Sequence, residues 1–410
     1  RVISQGGGAA EIEAAFLDSG QRFVVSQSLG WQQSIAATRA GDVALVAWQE
    51  ITGRNQQKTI FIQRVNDRGV PLDGRGVSLA VDPTTSDQIH PAFGEGWILW
   101  VDQDPAPTGR AVVAGRRLGA DGLPLQSSGF ARFPSARDSR VGMAAGPAGE
   151  HLVVWESPSN GIVAARISAE GRTLDQFPLP ISSHARAEWG PAVASDGENY
   201  LIVWNRTGTL PIPCIGFCAP VASLEGVFVT GSGAVATSFQ IAGPRVNPSL
   251  PWLVWNGSEY VVFWYGSPTV DAWRIGRFGT PDSEPSVVAV DALLNGVAWN
   301  GSGYDVAVTR HAGGASLTSH LSLVRMDNEL QPVQEIGVGV GHMIGFGDWR
   351  DFIAPQSRRL SAWNVGVVPA GDGKALVAHR ETSTDGISRA VGRFIGGEEP
   401  PRLRRRSVGR

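Results

Sequence analysis

One segment recurs along this chain and restricts its fold more than any other feature: a short turn bearing Gly, Asp or Asn, then an apolar strand closing on Trp. It reads Asp42-Val43-Ala44-Leu45-Val46-Ala47-Trp48, then Gly96-Trp97-Ile98-Leu99-Trp100, then Glu150-His151-Leu152-Val153-Val154-Trp155. It returns as Asn199-Tyr200-Leu201-Ile202-Val203-Trp204 and Glu259-Tyr260-Val261-Val262-Phe263-Trp264, and without Trp as Gly303-Tyr304-Asp305-Val306-Ala307-Val308. Successive Trp residues lie 52, 55, 49 and 60 positions apart. That period suits a unit of four short strands, one blade of a β-propeller.

The third repeat supplies a template. Val141 to Ala145 is a first strand, His151 to Trp155 a second, Ile162 to Ile167 a third, and Leu174 to Ile181 an outer strand. Gly, Pro, Asn or Asp bounds each strand, as tight turns require. The same order places first strands near Ser34, Pro91, Pro191, Pro248, Asn295 and Val365, which makes seven blades. The expected architecture is all-β: a seven-bladed propeller of four-stranded antiparallel blades in a single domain, residues 1–397. Blade repeats fall near 31–80, 81–132, 133–183, 184–242, 243–290, 291–338 and 339–397, followed by a basic tail, 398–410. Charged residues make up only 18% of 410, whereas Gly numbers 52 and Pro 26. Many turns joining short strands have that composition, and solvated helices do not.

The seventh repeat has three strands, Val365 to Ala370, Ala375 to His379 and Ile387 to Phe394, and lacks a fourth. An unassigned strand at residues 22–28 precedes the first complete repeat. It is expected to fill the vacancy and close the ring, removing an exposed edge.

Tyr200-Leu201-Ile202-Val203-Trp204, with the run Ile162-Val163-Ala164-Ala165-Arg166-Ile167 and its turn Ser168-Ala169-Glu170-Gly171-Arg172-Thr173-Leu174-Asp175, resembles a broad family of exported bacterial propeller proteins. In that family a "YLVVW" strand is followed by an "IYAARV-spDG-tvLD" strand and turn. The resemblance covers nearly the whole chain and implies the fold and a secreted, periplasmic or cell-surface location. It implies no activity. The chain departs from the pattern where Asn160-Gly161 replaces an acidic residue, and in the sixth and seventh repeats, which lack the Trp.

Several function classes recede on composition and motifs. The formal net charge of −3 offers no basic field for nucleic acid. No apolar run reaches the roughly 20 residues of a membrane-spanning helix. HExxH, the P-loop, GxSxG and the boxes of sialidase propellers are all missing. The repeated Trp residues end strands sandwiched between sheets, so they are expected in the core and not in a sugar-stacking ladder. Asn256-Gly257-Ser258 and Asn300-Gly301-Ser302 match the glycosylation pattern but are read as two-residue hairpin turns. Cys214 and Cys218, the only cysteines, suit a local disulfide in an exported protein better than a zinc site. No metal and no cofactor are expected.

First-to-second and third-to-fourth turns are short and share one plain face, while the other connections are longer and share the opposite face, where binding groups usually sit. Six of the seven histidines, His90, His184, His311, His320, His342 and His379, fall in or beside the long connections. Gln88, Asp138, Glu188 and Arg245 precede the first strands and are expected near the mouth of the central channel, with His90, Arg140 and Trp189 following. The connection from about Gly339 to Asn364 carries Phe346, Trp349, Arg350, Asp351 and Phe352, too many large apolar groups for a simple linker. The candidate ligand-binding residues are therefore His90, Glu188, Trp189, Arg245, Trp349, Arg350 and Asp351. The expected function is a binding or scaffold module for a glycan or protein partner. A glycan-active hydrolase using acids such as Glu188 and Asp351 is the alternative, with a purely structural surface component as a third reading.

Overall fold

The computed structural model describes residues 22–26, 31–52, 57–79, 86–106, 109–129, 132–184, 187–208, 221–246, 248–277, 279, 281–282, 284–311, 318–342, 365–370, 373–382 and 388–396. They form seven antiparallel sheets in a single ring. Blade one comprises Trp31–Ala40, Val43–Thr52, Gln57–Val65 and Val77–Ser78; blade two Asp87–Gly94, Trp97–Gln103 and Ala111–Leu118, with an outer edge split into Pro124–Gly129 and Phe133–Ser135. Blade three comprises Val141–Ala145, His151–Glu156, Ile162–Ile167 and Leu179–Pro180; blade four Glu188–Ser195, Asn199–Gly208, Val221–Thr230 and Phe239–Val246. Blade five comprises Trp252–Trp255, Tyr260–Gly266, Thr269–Ile275 and Ser286–Val290; blade six Ala292–Trp299, Gly303–His311, Thr318–Asp327 and Pro332–His342. Blade seven takes Gly366–Pro369, Lys374–Thr382 and Ser388–Gly396 from the end of the chain and Arg22–Val24 from its beginning.

The closing strand pairs Arg22 with Arg393, Phe23 with Gly392 and Val24 with Val391. First strands of successive blades pack against each other around the whole circle, blade seven against blade one included. Crowding near the axis selects small residues there. A Cβ on Gly296 would lie 2.5 Å from the Val365 carbonyl oxygen of blade seven, and one on Gly366 would lie 2.5 Å from Ala37 of blade one.

Burial explains why second strands read as unbroken apolar runs. Each is covered on both faces by neighbouring sheets, as are Trp97–Gln103 and His151–Glu156, buried throughout. The described apolar core divides into seven clusters, one at each junction between adjacent blades. Trp48, Trp155, Trp204 and Trp264 are among the largest fully buried side chains, although each strand runs on past its Trp instead of ending there.

On the plain face, arginines of third strands stitch blades together. Arg64 is bidentate to Asp73 and reaches the Asp121 carbonyl of blade two. Arg166 holds Asp175 and donates to the Gly231 carbonyl of blade four at 2.9 Å. Arg274 and Arg325 likewise reach the Asn328 carbonyl of blade six and the Ile395 carbonyl of blade seven. In blades one and three the aspartate of the repeated turn, Asp73 or Asp175, holds the stitching arginine in place, whereas Arg274 and Arg325 are held by Glu259 and Asp305.

Some boundaries differ from the sequence reading. The outer strand of blade six runs to His342, so Gly339–His342 extend that sheet because Thr318–Asp327 is long enough to pair them. Likewise Phe133–Ser135 pairs with the third strand of blade two, and Phe239–Val246 carries blade four past residue 242. The Asn-Gly turns span four residues instead of two. Asn256 Oδ1 accepts the Ser258 and Glu259 amides while Gly257 supplies φ of 100°, and Asn300 with Gly301 does the same. Cys214, Cys218, Phe346, Trp349, Arg350, Asp351 and Phe352 lie outside the described residues.

Candidate functional face

The face opposite the arginine stitches carries the second-to-third and the inter-blade connections. Not every connection there is long: in blade five Gly266 pairs directly with Thr269. The innermost strands reach this face through bulges at Gln33/Ala36, Ile89/Ala92 and Trp189/Ala192, where two residues stand against one Trp of the second strand. The first bulged residue has positive φ in each: Ser34 at 51°, His90 at 55° and Gly190 at 65°. His90 is thus a half-buried side chain held in a conformation that favours Gly, a cost of about 1 kcal/mol or more.

Beneath the bulges runs a belt of buried polar groups. The Trp48 indole N–H donates to Glu50 Oε2 at 3.0 Å, and Gln32 Nε2 donates to the same oxygen at 3.1 Å. Gln32 Oε1 then accepts the Ala390 amide of blade seven at 2.6 Å. Blade two repeats the device, with the Trp100 indole on Asp102 at 2.9 Å and Gln88 Oε1 accepting the Ile60 amide of blade one. Burial pushes the Asp102 carboxyl up, and Arg132, 2.7 Å away and largely exposed, pulls it back.

Glu188 belongs to this belt. It is 5% exposed, accepting the Trp204 indole at 3.3 Å through Oε1 and the His184 amide at 2.9 Å through Oε2. Glu156, in blade three, accepts the Gly190 amide of blade four at 3.0 Å. In blade five, Trp264 donates to Asn205 Oδ1 of blade four at 2.9 Å. Each of these buried oxygens answers an indole or a backbone N–H, as buried polar groups must.

The expected site residues are therefore spread out. His90 and Trp189 stand on innermost strands, both half-buried. Glu188 lies under the surface instead of at the mouth, because its carboxylate is drawn to the buried Trp204 N–H. Arg245 is not beside an innermost strand; it lies in the outer strand of blade four, ion-paired to Asp271 at 2.8 Å and 5.9 Å from the Trp273 ring centroid. Gln88 is buried and Asp138 exposed, the latter bonded to Gln103 across the sheet edge. His184 is exposed, and His320 is half-buried in a third strand. His379 is not in a connection but deep in the second strand of blade seven.

Sequence reasoning missed Glu50, Asp102 and Glu381, although spacing signalled them. Trp48/Glu50 and Trp100/Asp102 set a carboxylate two residues beyond the Trp, on the same side of the strand, where the indole N–H points. Among the described residues no group of three or more His, Cys, Asp or Glu side chains is placed to hold a metal ion. No helix there is long and apolar enough to cross a membrane.

No protein-family model matches the sequence, and no curated protein does. Solved structures resemble it in fold. A protein of unknown function from Dyadobacter fermentans is 12% identical with a TM-score of 0.50, over 92% of this chain and 98% of that one. An α-L-arabinofuranosidase from Fusarium graminearum, solved with an iminosugar inhibitor, is 9% identical with a TM-score of 0.50, over 92% and 98%. The β-propeller domain of the Trilobed protease from Pyrococcus furiosus is 10% identical with a TM-score of 0.49, over 90% and 100%. At such identities the likeness is one of fold.

Proposed function

We propose that this ring is an exported binding module that engages a glycan or protein on the face bearing the inter-blade connections. The observation that carries this reading is the fate of four buried acids near that face among the described residues. Glu50, Asp102, Glu156 and Glu188 are all committed to indole or backbone N–H groups or to a neighbouring arginine. A glycosidase needs two carboxyl groups aimed at one bond, about 5–10 Å apart and free to exchange protons. Carboxylates consumed as struts favour recognition over hydrolysis, with affinity supplied by aromatic groups such as Trp189 and by the His90 imidazole.

Export rests on the family resemblance and on the pairing expected of Cys214 and Cys218. A glycan array probed with the purified protein, run beside turnover assays on every glycan retained, tests the function. Binding without turnover, weakened at least tenfold by Trp189→Ala and unchanged by Asn256→Ala on the opposite face, is the expected result. Sustained hydrolysis, or equal losses from the two substitutions, would overturn it.

A further inference from the structure

Aligning blade seven with the others by register reveals a substitution at the centre of the closure. Gly366 pairs with Ala378 as Gly142 pairs with Val154 in blade three, so His379 occupies the position of Trp155. The local sequences agree: Leu376-Val377-Ala378-His379 stands against Leu45-Val46-Ala47-Trp48. Glu381 then takes the place of Glu50 and Asp102, two residues beyond the ring whose N–H those acids accept.

We propose that His379 makes the closing blade an acid-sensitive latch, stable while the imidazole is neutral and loosened when it takes up a proton. An indole N–H donates at every pH, whereas an imidazole in the same niche changes charge near neutrality. His379 Nε2 lies 3.7 Å from Glu381 Oε1 and is buried without a hydrogen-bond partner. Glu381 is already claimed: Arg22 of the closing strand donates to Oε2 at 2.8 Å, and Arg393 of the third strand lies 3.7 Å away.

The surroundings fix the direction. Along its own strand His379 faces Glu381, and from the adjacent strands Arg393 and Arg22. Arg389 stands opposite Glu381 in the ladder. Arg380 points to the other face of the sheet, and the first strand of the blade brings no charge. From blade six, Gly339 stands against the imidazole, and it is uncharged. Burial, with Arg393 and Arg22, outweighs the Glu381 carboxylate and a backbone hydrogen bond at Arg380, and holds the imidazole below its ordinary range.

A histidine so depressed binds its proton more readily once the blade opens. The closure is therefore fully stable above the open-state value of about 6.5 and weakens as the pH falls toward the closed-state value. Opening involves the closing strand directly, because Val24, Val391 and His379 stand side by side across the sheet. Lifting Arg22–Val24 wets the imidazole and frees Glu381 together.

Hydrogen exchange of the full chain between pH 7.5 and 5.0, corrected for intrinsic rates, tests the latch. Protection of the 388–396 segment is expected to fall by up to about tenfold for each pH unit below about 6.5, as one proton is taken up on opening. Protection of Tyr200–Trp204 in blade four, the internal control, should change much less. His379→Trp, restoring the residue of the other blades, and His379→Gln, which suits the case in which the larger ring does not fold, should both abolish the fall. A flat profile in the parent, the same slope in the variant that folds, or a parallel fall in blade four would overturn the proposal.

Discussion

Replacing Glu188 with Ala separates a ligand-binding role from a structural one. The carboxylate is 5% exposed and accepts two donors, the Trp204 indole and the His184 amide. Trp204 is 2% exposed, so its N–H finds no water when the acceptor is removed, at a cost of about 1–3 kcal/mol. The His184 amide lies nearer the surface and regains a water, adding less. A total of about 3 kcal/mol follows. With unfolding entropy of about 2.1 cal/mol/K per residue, a chain of 410 residues loses roughly 3 °C of Tm for that destabilisation. Differential scanning calorimetry measures it, with Glu188→Gln, which keeps one acceptor oxygen, expected to lose about half as much. An unchanged Tm in Glu188→Ala would refute the reasoning and return Glu188 to the candidate ligand residues.

Arg166→Ala should cost about 2 kcal/mol in urea denaturation, since it leaves the nearly buried Asp175 with only the backbone amide of residue 166 and removes the link to Gly231 of blade four. Arg39→Ala, whose exposed side chain bonds the Gly41 carbonyl and reaches the Pro369 carbonyl of blade seven only at 3.5 Å, should stay within about 0.5 kcal/mol. Deleting residues 1–26 removes the fourth strand of blade seven and uncovers the edge of Ser388–Gly396; size-exclusion chromatography should then show association through that edge, and a stable monomer of unchanged Tm would argue against closure by this strand. Thiol titration of denatured, unreduced protein from an oxidising compartment should find no free thiol from Cys214 and Cys218, and two free thiols would remove that support for export.

Much of the architecture was legible in the sequence because it rests on local, periodic signals. An apolar strand bearing Trp every 49 to 60 residues, turns marked by Gly and Asn, and a missing last strand matched by a spare first one together specify seven blades and their closure. The Trp residues were assigned to the core for the reason that holds, burial of the second strand on both faces. What the sequence could not disclose is which polar side chains the ring consumes. Glu188 and Arg245 stand near first strands in sequence, yet one turns inward to a buried indole and the other packs outward on blade five, because each answers a partner 16 or more residues away. The equivalence of His379 with the tryptophans is hinted at by the matching runs Leu376-Val377-Ala378 and Leu45-Val46-Ala47, but pairing with Gly366–Pro369 decides that His379 fills the niche. Periodicity along the chain set the repeating frame, whereas the use of each charged group was decided by the neighbouring blade, whose donors and acceptors are brought alongside only when the ring closes.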